Sequence, residues 1–129
     1  MKKILIVEDD IYIQDIFKII FKSNGYIVEC RLDGEMIGDI NNIAPDIIIL
    51  DKQLPGISGI DLCKKLKADA STSTIPVIII SALPGVKEAA LTAGADDYIE
   101  KPFNMHIILK KVSTLLAHTS QVPYNSIGS

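Results

Sequence analysis

Tryptophan is absent, and four tyrosines and three phenylalanines are the only aromatic side chains among 129 residues. So few rings leave no basis for a nucleic-acid surface built on base stacking. A basic excess is missing too: thirteen Lys and Arg stand against sixteen Asp and Glu, a net charge of −3. Binding driven by phosphate neutralisation calls for the opposite sign. Cysteine occurs twice, at Cys30 and Cys63, in neither a C-x-x-C pair nor a zinc spacing. Both read as reduced, partly buried thiols of a cytosolic protein. No apolar run approaches the roughly 20 residues of a membrane span. Met1-Lys2-Lys3 starts like a secretory signal, but Glu8-Asp9-Asp10 closes the apolar run Ile4 to Val7. That is too early for an h-region of at least ~7 residues. Repeats and low-complexity tracts are lacking as well. The expectation is one cytoplasmic domain without a membrane partner, long enough to bury about two-thirds of its unfolded surface.

What is present is β-branched and periodic. Ile4-Leu5-Ile6-Val7, Ile47-Ile48-Ile49-Leu50 and Val77-Ile78-Ile79-Ile80 are continuous apolar runs of strand length. Tyr26-Ile27-Val28, continuing to Leu32, and Tyr98-Ile99 are weaker ones. Strands apolar on both faces belong to parallel sheets covered by helices on both sides. Between them lie helical patterns. Ile13, Ile16, Phe17, Ile20 and Phe21 recur at helical spacing and stop at Asn24-Gly25. A second helix spans about Gly34 to Ile43. A third begins near Ser58 and fades into Asp69 to Thr74, and a fourth covers Val86 to Ala93. The fifth runs from Met105 to His118. Strand and helix therefore alternate throughout, the order of a doubly wound α/β sheet. A polar tail or linker is expected over 119–129.

In such a sheet ligands bind beyond the carboxyl ends of the strands. The residues that follow the runs are Glu8, Asp9 and Asp10, then Asp51, then Ser81, then Glu100 and Lys101. Asp10 and Asp46 each read as a helix N-cap or turn residue. Acids gathered at one edge repel one another and need a lysine or a divalent cation. Oxygen ligands without His or Cys favour a hard ion such as Mg²⁺. Carboxylate, Mg²⁺, ammonium and hydroxyl together suit phosphoryl chemistry, with a carboxylate able to act as nucleophile.

Four motifs in order carry a family resemblance: Ile4 to Asp10; Pro45 to Asp51 with Leu54-Pro55-Gly56 and Ser58-Gly59; Ile75-Pro76-Val77-Ile78 with Ser81-Ala82; and Ala93 to Ile99 leading to Lys101-Pro102-Phe103. From about Lys2 to Ala117 the chain resembles the receiver domain of two-component response regulators. The resemblance implies a flavodoxin-like fold of five parallel strands in the order 2-1-3-4-5, with the receiver occupying 1–118. It implies Asp51 as phosphoacceptor, and Mg²⁺ (or Mn²⁺) held by Glu8, Asp9, Asp51 and the backbone carbonyl of Gln53. Lys101 would pair with Asp51 or its phosphoryl group. Ser81 would hydrogen-bond the phosphoryl oxygen, Tyr98 would turn inward when Ser81 moves, and the Lys101–Pro102 bond would be cis. The implied partners are a sensor histidine kinase or a histidine phosphotransfer protein, and a downstream protein effector. The effector, or a weak dimer, would use the face of the fourth helix, fifth strand and fifth helix. No free metabolite would be turned over, so the domain is not an enzyme in the usual sense.

The chain departs from the family pattern at a few places. Lys52 follows the acceptor where an apolar residue is common, and alternation should aim it away from Asp51. Gln53 stands where the family tunes water access to the phosphoryl group, whereas Ala82 is small, as the family prefers for access to Asp51. The segment Ser81 to Gly94 is about two residues short of the family's and holds Pro84-Gly85, so a short or late fourth helix is expected. His106 and His118 lack a metal partner at i+4 and read as surface residues. Three other functions meet obstacles in the residues. A pseudo-receiver that binds proteins without phosphorylation is opposed by the intact acid pair, Asp51, Ser81 and Lys101. An aspartyl-phosphate hydrolase needs a second acid where Gln53 stands. A flavin or dinucleotide domain needs a Gly-rich loop where Glu8-Asp9-Asp10 stands.

Overall fold

A computed structural model of the chain describes residues 1–128, with side chains described as far as His118. The elements are β1 (Lys3–Val7), α1 (Ile11–Ser23), β2 (Ile27–Arg31), a 3₁₀ turn (Gly34–Asp39), α2 (Ile40–Ile43), β3 (Ile47–Asp51) and α3 (Gly59–Ala68), then β4 (Val77–Ser81), α4 (Lys87–Thr92), β5 (Asp97–Glu100) and α5 (Met105–Gly128). The strands form one parallel sheet in the order β2-β1-β3-β4-β5. This is the flavodoxin-like arrangement that the motifs implied. Among the described residues, no helix is long and apolar enough to cross a membrane.

The continuous apolar runs are explained by alternation. Leu5, Val7, Ile48, Leu50, Val77 and Ile79 enter one core, shared with α2, α3 and α4. Ile4, Ile6, Ile47, Ile49, Ile78, Ile80 and Ile99 enter the other, shared with α1 and α5. Successive side chains point to opposite faces of a sheet, so a strand buried on both faces has no polar position left. In β1, β3 and β4 the residues from Ile4 to Val7, Ile47 to Leu50 and Val77 to Ile80 are all buried.

Helix ends follow local chemistry. Asp10 caps α1, its carboxylate accepting from the backbone N–H of Tyr12 at 2.9 Å and of Ile13 at 3.3 Å. The Ser58 hydroxyl accepts from Asp61 N at the start of α3. Asp46 is no cap; its carboxylate accepts from Lys3 N at 2.7 Å and so ties the start of β1 to the approach of β3. The second helix differs most from its expected form. Gly34 to Asp39 is a 3₁₀ turn, and only Ile40–Ile43 is α-helical. Gly34, Gly38, Asn41 and Asn42 are weak helix formers, and Asp33 pulls the segment into a tight turn by accepting from Glu35 N. α4 is short, as the reduced segment predicted. α5 runs to Gly128, past the expected end at His118; the stretch 119–129 read as a tail lies beyond the described side chains.

Ala44 ends α2 in the left-handed region, at φ 50° and ψ 57°. A Cβ there costs about 1–2 kcal/mol, which glycine avoids. Ala44 is exposed, so Ala44→Gly removes strain without opening a hole. It is expected to raise the unfolding free energy by about 0.5–1 kcal/mol, as measured by urea denaturation with an unchanged slope.

Candidate functional site

The parallel register brings the carboxyl ends of the strands level, and backbone bonds latch the first residue beyond β1, β3 and β5 to the neighbouring strand. Glu8 N donates to Arg31 O at 3.0 Å, Lys52 N to Ile80 O at 2.8 Å, and Lys101 N to Ser81 O at 2.8 Å. Alternation then sorts the side chains. Glu8, Asp51 and Lys101 continue the rows of Ile6, Ile49 and Ile99, which face α1 and α5. Ser81 continues the row of Val77 and Ile79, which faces α4, and Tyr98 packs on that same side.

The acids converge as expected. Glu8, Asp9 and Asp51 each offer a carboxylate oxygen, and these atoms lie within 4.8 Å of one another. Among the described residues, no other group of His, Cys, Asp and Glu is so placed. Glu8 is 3% exposed and Asp51 9%, while Asp9 opens to solvent. Lys101 Nζ lies 3.4 Å from Glu8 Oε1 and 3.6 Å from Asp51 Oδ2, so one ammonium bridges two buried carboxylates. Its loop is pinned by Phe103, whose ring stacks on Phe17 of α1 at 5.9 Å. The Lys101–Pro102 peptide is cis, as the motif implied.

One lysine does not neutralise three acids. Burial is the largest influence on Glu8 and pushes its carboxyl up to about 7; a hydrogen bond to Asp51 and that residue's charge add to the rise, against Asp10 N–H and Lys101. Asp51 stands against the start of α3. A side chain at Gly59 would collide with the Asp51 carbonyl and come within 3.0 Å of Lys52 Cα, so only glycine lets α3 begin this close to β3. Gln53 lies at the rim and is exposed, its N–H 3.5 Å from Asp51 Oδ1. Lys52 and Gln53 line a shallow hollow with Ser58 and Asp61.

Ser81 is 1% exposed, and its Oγ accepts from Leu83 N at 3.0 Å. The Leu83 carbonyl in turn accepts from the Tyr98 hydroxyl at 3.4 Å. Burial and nearby Glu100 raise the Tyr98 phenol, and a hydrogen bond with Ser81 acts against them. Sequence reasoning missed one polar residue at this edge: Gln14 of α1, buried, with its amide against the end of β1. A polar side chain one position beyond Ile13 on the helix face turned inward was its only signal. It also missed an exposed apolar stripe on α1, where Ile11, Tyr12, Ile16 and Ile19 are between 50% and 84% exposed. This stripe runs into a cavity of about 430 Å³ whose walls include Ile16, Phe17, Ala82, Lys101, Pro102 and Met105. His106 and His118 are exposed, Cys30 and Cys63 are free thiols, and none of the four belongs to the acid group of the cleft.

A family model for the response regulator receiver domain matches residues 4–113. This chain belongs to the response regulator receiver domains. It is 36% identical over 126 residues to the DNA-binding dual master transcriptional regulator RpaA of Synechocystis, covering 95% of this chain and 52% of that protein. The chain thus spans about half the length of the curated relatives it matches. The receiver domain of a signal transduction histidine kinase from Syntrophus aciditrophicus superposes with a TM-score of 0.86 at 35% identity, covering 92% of each chain. The response regulator TrrA of Thermotoga maritima, solved in complex with Mg²⁺ and BeF, has a TM-score of 0.81 at 28% identity and covers 89% of this chain and 99% of its own. The receiver is a signalling module of two-component systems, and a similar one, the receiver domain of the sensor histidine kinase PA1611 of Pseudomonas aeruginosa (28% identity, TM-score 0.81, 90% of this chain and 98% of its own), was solved with a magnesium ion in its active-site cleft.

Two outcomes follow from the packing of the cleft. Gly59→Ala forces the α3 start away from the Asp51 backbone, and a loss of about 2 kcal/mol in unfolding free energy is expected by chemical denaturation. Glu8 carries the opposite sign. Its folded carboxyl holds a proton up to about 7, against an ordinary value of 4.5. The folded state therefore binds more protons between those values, and stability falls as pH rises through that window. Glu8→Gln removes the ionisation, so in EDTA it should raise stability by about 2 kcal/mol at pH 8 and change it little at pH 4.5. Thermal unfolding of both proteins at the two pH values checks this.

Proposed function

We propose that this receiver takes a phosphoryl group from a phosphohistidine onto Asp51. The partner would be a sensor histidine kinase or a histidine phosphotransfer protein. The observation that carries the reading is the shared ammonium: Lys101 stands 3.6 Å from Asp51 and 3.4 Å from Glu8, two buried carboxylates, with the exposed Asp9 beside them. The residues fit a hard divalent cation, with Glu8, Asp9, Asp51 and the Gln53 carbonyl as its holders: their oxygen-only donor set and surplus negative charge both favour one. When bound, Mg²⁺ would neutralise phosphoryl oxygens and reduce the repulsion between donor and acceptor.

The chain's own groups supply the rest. An Asp51 oxygen attacks phosphorus; the new O–P bond forms as the N–P bond of the phosphohistidine breaks. The bonding pair returns to the imidazole nitrogen, which takes up a proton. Lys101 offsets the charge on the transferred group, and the Ser81 hydroxyl, drawn away from Tyr98, would donate to it. Water later cleaves the acyl phosphate and restores the carboxylate. A phosphoprotein donor suits the surroundings better than a small ester. The apolar α1 stripe and its cavity adjoin Lys101 and Ala82, so a helix seated there would present its histidine to Asp51.

The phosphoryl charge would also bias a two-state switch. Drawing Ser81 toward the adduct loosens its bond from Leu83 N, and the Leu83 carbonyl is what the Tyr98 hydroxyl holds. That chain connects the adduct to the face of α4, β5 and α5, where an effector or a second copy would read it. The 28%-identical TrrA complex with Mg²⁺ and BeF supports this assignment by likeness. Incubation with acetyl phosphate and Mg²⁺, followed by intact mass, tests it. A gain of about 80 Da for one phosphoryl group is expected in the natural protein and none in Asp51→Asn. A natural protein that gains nothing would be a pseudo-receiver, and an equal gain in both would put the acceptor elsewhere.

A further inference from the structure

Gln14 lies in the second turn of α1 and is only 6% exposed. Its amide nitrogen donates to two backbone carbonyls, that of Glu8 at 2.7 Å and that of Arg31 at 3.2 Å. With two acceptors facing it, the amide has to present nitrogen; its oxygen would meet two oxygens. Glu8 N also donates to Arg31 O. The backbone of Glu8 is therefore gripped on both sides, its N–H by the end of β2 and its carbonyl by α1.

The Glu8 carbonyl shares one rigid plane with the Asp9 N–H. Holding the oxygen holds the plane from which the Asp9 backbone departs. Asp9 has few other restraints: it is exposed, and its carboxylate takes no hydrogen bond from a described residue. Its neighbours are fixed differently, Glu8 by burial and Lys101, and Asp10 by its role as the cap of α1.

We propose that Gln14 is a positioning residue of the acid cleft: by holding the Glu8–Asp9 peptide it places the Asp9 carboxylate against Glu8 and Asp51, and so sets the affinity for Mg²⁺. This rests on the reading of the cleft as a Mg²⁺ site. Mg²⁺ demands near-octahedral oxygen geometry and tolerates little ligand drift. Groups that orient metal ligands from behind typically change metal affinity by about 10–100-fold when removed.

Calorimetric titration of the full chain with MgCl₂ tests this in four proteins. In Gln14→Leu the donor is gone, and Kd for Mg²⁺ is expected to rise about 10-fold. Gln14→Glu separates geometry from charge. An added carboxylate near the cleft would tighten Mg²⁺ binding by electrostatics alone, whereas an acceptor facing two carbonyls displaces the peptide and weakens it. Ile43→Ala lies at the end of α2, in the core on the other face of the sheet. It should lower the unfolding temperature without changing Kd, showing that lost stability by itself does not move the affinity. In the natural protein, the Gln14 side-chain amide signals in ¹H–¹⁵N spectra should shift on Mg²⁺ addition, a readout that needs no variant. An unchanged Kd in Gln14→Leu, tighter binding in Gln14→Glu, or silent Gln14 amide signals would overturn the proposal. A natural protein that binds no Mg²⁺ would instead overturn the reading of the cleft, and the role of Gln14 with it.

Discussion

Glu8, Asp9 and Asp51 repel one another, and nothing in a folded chain would gather them unless the surroundings compelled it. The backbone latches at the carboxyl ends of β1, β3 and β5 do the compelling. Lys101 supplies partial relief, close to both buried acids and far from neutralising three. Burial leaves Glu8 reluctant to ionise. The acid cleft thus carries unfavourable electrostatics that a cation would relieve. Such strain is the ordinary price of a preorganised polar site.

The rest of the domain keeps that cluster in place. Gly59 lets α3 abut the Asp51 backbone, Phe103 fastens the Lys101 loop to Phe17, and Asp10 starts α1 directly behind the acids. Each of these elements also contributes to one of the two apolar cores. Cleft geometry and fold stability are for that reason hard to alter separately.

Much of this was legible in the residues. Three uninterrupted β-branched runs announced a sheet covered on both faces, and the polar residue closing each run marked the working edge. Strand order came only with the family motifs, because alternating β and α segments fit more than one doubly wound order. What stayed hidden had specific causes. The 3₁₀ turn at Gly34–Asp39 depends on Asp33 capping and on glycines that a periodicity count treats as neutral. The link between Asp46 and Lys3 joins residues 43 positions apart, beyond any local pattern. The role of Gln14 depends on the Glu8 and Arg31 carbonyls converging on it, and Arg31 is 17 positions away.

Strand alternation has a further effect. Glu8, Asp51 and Lys101 belong to the rows facing α1 and α5, while Ser81 and Tyr98 belong to those facing α4. In the proposed scheme a charge delivered on one side of the sheet is sensed on the other, across the thickness of a single layer. A donor seated on α1 and a listener reading α4 and β5 would touch different surfaces of the domain, so handing over the signal need not wait for the messenger to leave.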